Sequence, residues 1–326
     1  MKQKKSTRAA SAKPTPISYG GDMVTWAAWL YYSQNRTQNS VADELGISRA
    51  SVANYLAEAR ARGLVKINLD PNLLAKMQLG QAACVRFGLQ ETHVIPTSDD
   101  GFTLRQNLGV AGANILADRI NDDSVLGVAW GRTMLALAQA LPEQKLPTMR
   151  VVQVSGSSID DEEFSPEFCT ALIASRLGAK CNNFHAPAIV SSAQMRTQLM
   201  DEPALLRHFQ LIESCDTVVF SVAGLDDSTF FADPGTISPA ATKDYMERGA
   251  VGLALGQFIG ADGGVIEGEL AGRVIGLSIQ DLKKTPTRIC IAGGVEKITV
   301  LRAILNEGYA THLVTDALTA RGLLED

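Results

Sequence analysis

The chain has 326 residues, of which 46% are hydrophobic and 20% charged, and its formal net charge is −5, a composition that suits two hydrophobic cores. No apolar run approaches the ~18 residues that a membrane helix needs, so we expect a cytoplasmic protein with no membrane partner and a disordered basic tail over residues 1–20. The five cysteines form no CxxC or Cys/His cluster, which argues against a disulfide framework or zinc site, and no metal or cofactor is predicted.

The charges are divided unevenly along the chain. Residues 1–70 hold ten Lys/Arg and five Asp/Glu, whereas residues 71–326 hold twenty Lys/Arg and thirty Asp/Glu. A short basic head on an acidic body is typical of a nucleic-acid-binding domain attached to a domain that need not touch DNA. A basic arm that only solubilises the chain is the alternative.

Residues 21–70 have the pattern of a three-helix head. Apolar residues at i, i+3, i+4 spacing between positions 23 and 31 predict a first helix with one buried face. Thr37 can cap a second helix that Gly46 ends, and Ser48 can cap a third that runs to about Arg62. Two helices joined by a short turn with glycine form a helix-turn-helix, and the extended run after Gly63 would close a winged head.

Polar residues at the starts of the second and third helices are the candidate DNA contacts. Arginine and asparagine can pair with guanine and adenine edges, whereas serine and tyrosine suit phosphates. The candidates are Thr37, Gln38, Ser48, Arg49, Ser51, Asn54 and Tyr55. An ordinary three-helix cap with solvated polar residues, or a head that binds protein, would show the same helices.

Residues 71–88 predict a linker helix with an apolar stripe that includes Leu73, Leu74 and Met77. Such a stripe packs either on the body of its own chain or on a partner chain. Because helix-turn-helix heads usually read paired half-sites, we expect a homo-oligomer, either a dimer or a tetramer.

Residues 89–326 alternate between short β-rich runs and helical patterns. The predicted strands are 92–96, 125–130, 150–156, 181–186, 217–224, 288–294 and 312–316. This alternation predicts an α/β domain with a doubly wound, mostly parallel sheet. Ligands of such domains bind outside the carboxyl ends of the strands.

Four loops at predicted strand ends are candidates for that ligand site: residues 130–133, 155–158, 223–238 and 292–297. Glycines allow close approach of an anion, hydroxyls and backbone N–H groups can donate, and a lysine in a first helical turn opposes the helix dipole unless an anion is near. The candidate residues are Gly131, Arg132, Thr133, Ser155, Gly156, Ser157, Asp233, Leu253 and Lys297. The loops predict a phosphorylated or otherwise anionic ligand, with plain tight turns as the alternative.

Taken in order, the helix-turn-helix VADELGISRASVANYLAEARARGLVKI and the stretches LGVAWGRT, GAVG, VIGLSIQDLKK, AGGVEK and LVTDALTARGLL resemble the SorC family of bacterial sugar-sensing transcriptional regulators. The resemblance runs from about Trp26 to Leu324. It implies a winged-helix head followed by an effector domain with a fold similar to sugar-phosphate isomerases. It also implies that the protein binds operator DNA as an oligomer and that a phosphorylated sugar or polyol controls this binding. It further implies that residues 131–133 and Lys297 contact the phosphate and that residues 155–157 form a second contact loop.

Two residues depart from the family pattern. Leu253 stands where the family commonly has an acidic residue, and Arg132 stands where a small residue is usual. An apolar residue at position 253 implies an effector with a different or smaller set of hydroxyls. The alternative function is an isomerase or deaminase, which would need a base such as Asp226, Asp227 or Asp233.

Overall fold

A computed structural model describes residues 22–66, 70–157, 164–225 and 237–325, and of Asn72 and Pro239 only the backbone. The predicted disordered tail over residues 1–20 and the candidate residue Asp233 lie outside the described residues. The chain divides into two compact units, residues 1–70 and 71–326.

The N-terminal unit is a helical bundle. Its helices are α1 (Met23–Ala28), which continues as a π-helical turn (Trp29–Ser33), α2 (Gln38–Leu45) and α3 (Arg49–Ala61). The hydroxyls of Thr37 and Ser48 accept hydrogen bonds from the N–H groups of Ser40 and Ser51, as their positions before α2 and α3 predict. Gly46 ends α2 with φ 68°, so the helix-turn-helix is confirmed.

Small and aliphatic side chains hold the three helices together, among them Ala27, Val41, Val52 and Ala59, which are fully buried. The described residues do not show the predicted wing. Residues 63–66 form a turn and a bend rather than a strand, and residues 67–69 lie outside the described residues.

The C-terminal unit is an α/β domain. Its strands are β1 (Glu91–Ile95), β2 (Val125–Val128), β3 (Arg150–Gln153), β4 (Lys180–Asn182), β5 (Thr217–Phe220), β6 (Val222–Ala223), β7 (Ala250–Ala254), β8 (Gln257–Gly260), β9 (Thr287–Ile291) and β10 (His312–Asp316). Its helices are α4 (Pro71–Phe87), α5 (Gly101–Ala117), α6 (Arg132–Ala140), α7 (Pro166–Leu177), α8 (Ala193–Met200), α9 (Pro203–Glu213), α10 (Pro239–Glu247), α11 (Ile279–Leu282), α12 (Ile298–Asn306) and α13 (Ala317–Leu324).

Seven strands form one sheet in the order β1-β10-β9-β5-β2-β3-β4, and every pair in it is parallel. The central strands β5 and β2 are buried on both faces because helices cover the two sides, and apolar clusters fill both layers. The predicted doubly wound parallel sheet is confirmed. All parallel strands end at the same edge, so the loops that follow them meet there.

A second sheet was not predicted. The stretch 217–224, which reads as one strand, divides at Ser221 into β5 of the main sheet and β6, which pairs antiparallel with β7; β7 pairs in turn with β8. A two-residue turn at Leu255 and Gly256 joins β7 to β8, and both turn residues have positive φ, 50° and 74°. Two-residue hairpin turns usually have the sequence Asn-Gly or Asp-Gly. Because leucine occupies the first position of this turn, the sequence pattern did not predict the hairpin.

The linker helix α4 packs on the body of its own chain. Its C-terminal half buries Ala83 and Phe87 in the core cluster that also holds Leu323 of α13. Leu73, Leu74 and Met77 of the predicted apolar stripe are exposed. None of the helices in the described parts of the chain combines the length and the hydropathy that a membrane span requires.

Candidate functional site

A cavity of about 100 Å³ opens to solvent at the carboxyl ends of β2 and β5. The β7–β8 turn forms its far side. Its lining residues are Arg105, Ala129, Trp130, Gly131, Arg132, Thr133, Phe164, Ser221, Val222, Ala223, Leu253, Ala254, Leu255, Gly256 and Lys297. The structure thus brings together residues 131–133, Leu253 and Lys297, which are up to 166 positions apart in the chain.

The loop after β2 presents the start of a helix to this cavity. Gly131 precedes α6 with φ 114°, a conformation that favours glycine, and no side chain caps the helix. The first N–H groups of an α-helix have no partner within the helix, and they carry the positive end of its dipole. Thr133, only 5% exposed, adds a hydroxyl in the first turn. The loop can therefore donate several hydrogen bonds to one anion.

Lys297 lies at the end of a short 3₁₀ helix (Val295–Lys297) and is only 8% exposed. Its backbone N–H donates to the Gly294 carbonyl at 3.1 Å, but its ammonium forms no ion pair or hydrogen bond with any described residue. The loop before it is fixed from behind, because the Gly294 N–H donates to the carboxylate of Asp316 at 3.1 Å and to the hydroxyl of Thr319 at 2.8 Å. A buried ammonium without a counter-ion is costly, so this site favours an anionic ligand.

Asp316 ends β10 and caps α13, because its carboxylate accepts hydrogen bonds from the N–H groups of Leu318 and Thr319. Burial by itself would raise the pKa of Asp316, but hydrogen bonds from Thr319, Thr97 and Gly294 outweigh that effect and hold the pKa below its usual range. The group is therefore an anion at neutral pH that binds the backbone of the 292–297 loop. Its role is to hold the loop that carries Lys297.

Two arginines complete the cationic lining. The guanidinium of Arg132 lies 5.6 Å from the centre of the Phe164 ring, within the range of a cation–π interaction. Arg105 reaches the wall from the first turns of α5, and the sequence analysis missed it. The available signal was its place near the start of a helix that follows a parallel strand. The described lining residues include no carboxylate and no imidazole.

Leu253 makes the opposite side of the cavity apolar. It is buried and packs in a cluster with Ile237, Tyr245 and Phe258. Its side chain offers no hydrogen-bond acceptor to a ligand hydroxyl; the effect of Leu253 on the choice of effector stays a prediction. The neighbouring Leu255 is also buried, and its φ of 50° places a branched side chain in a conformation that leucine rarely adopts.

The loop with Ser155, Gly156 and Ser157 does not line the cavity. The Ser157 hydroxyl donates to the Phe184 carbonyl at 2.7 Å, and the backbone of Gly156 passes so close to residues 187 and 188 that a side chain would not fit. These contacts join β3 to the chain that follows β4. Effector binding by this loop stays a prediction, as it does for Asp233, which lies outside the described residues.

In the N-terminal unit the candidate DNA contacts lie on the surface around the helix-turn-helix. Thr37, Ser48, Arg49 and Asn54 are exposed, whereas Gln38, Ser51 and Tyr55 are half-buried. Arg49 donates from Nε to the Gln38 side-chain oxygen at 3.4 Å. A cleft beside them has a lining of Tyr31, Tyr32, Asn35, Arg36, Thr37, Gln38, Asn39 and Arg49, and the sequence analysis did not select its tyrosines, Arg36 or the two asparagines.

A helix-turn-helix unit followed by a separate α/β unit with a ligand cavity defines a class of protein, the ligand-controlled transcriptional regulator. Comparison with known proteins gives the family. A family described as "Putative sugar-binding domain" matches residues 72–325. The chain belongs to the SorC family of bacterial sugar-binding transcriptional regulators.

Two relatives and one solved structure illustrate the match. The chain is 31% identical over 312 residues to the uncharacterized transcriptional regulator YjhU of Escherichia coli (strain K12), covering 94% of this chain and 95% of the relative. It is 27% identical over 301 residues to the erythritol catabolism regulatory protein EryD of Brucella abortus (strain 2308), covering 91% and 95%. The crystal structure of the full-length sorbitol operon regulator SorC from Klebsiella pneumoniae has the same fold, with a TM-score of 0.71 at 23% identity, covering 93% and 98%.

Proposed function

We propose that this regulator binds operator DNA through α2 and α3 and that a phosphorylated sugar or polyol, bound in the cavity of the α/β unit, changes its affinity for DNA. The observation that supports the phosphate most is Lys297, which is buried without an acidic partner among the described residues. Thr133 and the uncapped start of α6 lie on the same cavity. An anion at this point would satisfy the ammonium and the free N–H groups together.

The sugar or polyol part of the effector has support from the names of relatives. EryD is named for erythritol catabolism, another relative is the deoxyribonucleoside regulator of Bacillus subtilis, and SorC is named for a sorbitol operon. Leu253 and Leu255 make one side of this cavity apolar, which favours an effector with a hydroxyl-poor face.

On the DNA side, Arg49 and Asn54 are the proposed base contacts, and Thr37, Gln38, Ser48, Ser51 and Tyr55 are the proposed phosphate contacts. Asn54 is exposed on the N-terminal half of α3, where a recognition helix meets base edges. We propose a dimer or tetramer in the cytoplasm, where operator DNA is found, because paired half-sites require paired heads.

A sensing role rather than catalysis agrees with the lining of the cavity. Isomerisation or deamination of a sugar phosphate requires a general base beside the substrate. The described wall offers hydroxyls, cations and apolar groups, but neither a carboxylate nor an imidazole. Incubation of the protein with a panel of sugar phosphates, followed by NMR, would reveal turnover if the cavity were an active site.

The function is tested by gel-shift titration on the DNA upstream of the coding sequence, with and without a panel of sugar and polyol phosphates at constant salt. Specific retention that one panel member shifts is the expected result. Absence of specific retention under all conditions contradicts the proposal.

The Asn54→Ala variant tests the proposed base contact. It should weaken binding to the operator by about 1–3 kcal/mol and weaken binding to random DNA much less. Equal losses on both DNAs would make Asn54 a backbone contact.

A further inference from the structure

The cavity has more cationic side chains than one phosphate needs. Arg105, Arg132 and Lys297 all lie on its wall, whereas a phosphate monoester carries a charge of about −1.5 to −2 at neutral pH. Arg132 and Lys297 have no ion pair within the described part of the chain. The charge of Arg105 also interacts with Asp100, but only weakly. Hydrogen bonds from Thr103 and Phe102 lower the pKa of Asp100 more than Arg105 does.

The packing of α5 on α6 brings the two arginines to the same level. At Gly109 the helices are in such close contact that an added Cβ would lie 2.5 Å from the backbone carbonyl carbon of Ala136. Both helices return from parallel strands of one sheet, so they run in the same direction. Arg105 precedes Gly109 by four residues, about one helical turn, and Arg132 precedes Ala136 by the same number. The two arginines therefore lie in the first turns of two adjacent helices, and both line the cavity.

Depth separates these arginines from the phosphate site. Lys297 and Thr133 are buried, Arg105 is half-buried and Arg132 is exposed at the rim. The Phe164 ring lies against the guanidinium of Arg132 and limits the directions in which it can move. The cavity thus has an inner cationic site at Lys297 and an outer one at the arginine pair.

We infer that Arg132, assisted by Arg105, is a second anion subsite and that the effector carries two acidic groups: a phosphate at the inner site and a carboxylate or a second phosphate at the outer site. This inference rests on the proposed phosphate site. The planar guanidinium donates two parallel hydrogen bonds to either acidic group. The side of the cavity at Leu253 is apolar, so we expect neither acidic group of the effector to bind there.

Matched ligand pairs test the inference by calorimetry on the full-length protein at constant ionic strength. Glycerol 3-phosphate and 3-phosphoglycerate differ by a carboxylate, and fructose 6-phosphate and fructose 1,6-bisphosphate differ by a second phosphate. We expect a preference of about tenfold or more for the two-acid member of at least one pair, since hydrogen bonds between charged groups are the strong ones. The pair that shows the preference identifies the second acid.

Variants then locate the preference. Arg132→Gln should reduce this preference to less than about threefold, because it should weaken the two-acid member of a pair far more than the one-acid member, whose phosphate also has Lys297 and Thr133. Arg207→Gln removes an exposed arginine of α9 outside the cavity and should change neither value. Lys297→Gln should weaken both members of each pair.

Two results overturn the inference. One is the absence of a preference in both pairs while inorganic phosphate still binds through Lys297, which leaves the proposed function intact. The other is a preference that persists in the Arg132→Gln, Arg105→Gln double variant. Failure of inorganic phosphate and of all four ligands to bind would instead contradict the proposed phosphate site, and this inference with it.

Discussion

The loops after the neighbouring parallel strands β2 and β3 are similar in composition and different in use. Gly131-Arg132-Thr133 leads directly into α6; the N–H of Gly131 donates to the Phe164 carbonyl, and the first N–H groups of the helix lie at the cavity. In Ser155-Gly156-Ser157, the N–H of Gly156 donates to the Ile275 carbonyl and the N–H of Ser157 donates to the Ala186 carbonyl. The first loop leaves the N–H groups at the start of α6 to a ligand, whereas the second loop uses the N–H groups of Gly156 and Ser157 within the fold. Residue type alone therefore does not identify a ligand loop.

The largest expected effect on stability comes from a change in the structural loop, Ser155-Gly156-Ser157. Gly156→Ala places a Cβ 2.5 Å from the Pro187 carbonyl oxygen and 2.6 Å from backbone atoms of Ala188, which cannot move independently. We expect a loss of about 1–3 kcal/mol in the free energy of unfolding, measured by chemical denaturation. Gly101→Ala is the control, because its Cβ would meet only the flexible end of Arg105 at 3.6 Å. Equal stability of the two variants would show that the chain at 187–188 is free to shift.

The second prediction removes the buried charge opposite the ligand loop. Lys297→Met should lower affinity for the best-binding sugar or polyol phosphate by roughly 10- to 150-fold, the equivalent of about 1.5–3 kcal/mol for a hydrogen bond to a charged group. Stability should stay the same or increase, because a buried ammonium without a partner is removed. Calorimetry and denaturation measure the two quantities. Unchanged affinity would place the phosphate elsewhere.

The third prediction concerns the hydroxyl of the ligand loop. Thr133→Val keeps the shape of the buried side chain and removes its hydroxyl, so effector affinity should fall by about tenfold, or ~1.4 kcal/mol. Thr133→Ser retains the hydroxyl and should bind nearly as well as the natural protein. If both variants lost affinity equally, packing rather than hydrogen bonding would explain the effect.

The smallest expected effect is the loss of stability when the Ser157 hydroxyl is removed. Ser157→Ala removes the hydrogen bond to the Phe184 carbonyl and another from the Gln153 amide, 3.2 Å away, so the free energy of unfolding should fall by about 1 kcal/mol. Effector affinity should not change. A clear loss of effector affinity would show that this loop reaches the ligand after all, as the resemblance to the family implies.

Local signals explain where prediction from the sequence succeeded. Thr37 and Ser48 cap their helices and Gly46 ends one, because a cap depends on a few adjacent residues. The seven strands of the main sheet were each located because β-rich runs alternate with helical patterns along the chain, and the central strands β2 and β5 are in addition buried apolar runs. The β7–β8 hairpin was missed because Leu255 occupies a turn position at which asparagine or glycine is usual.

The sequence by itself determined the helix-turn-helix, the parallel α/β sheet and the residue types able to bind an anion, since these depend on spacing along the chain. Only the tertiary structure decided which of them share a cavity. Arg105, Arg132 and Lys297 meet because the order of the parallel strands and the contact at Gly109 bring three distant segments to one sheet edge. Ser157 follows a neighbouring strand and has similar chemistry, yet it is used within the fold, because Phe184 and Gln153 occupy its hydroxyl.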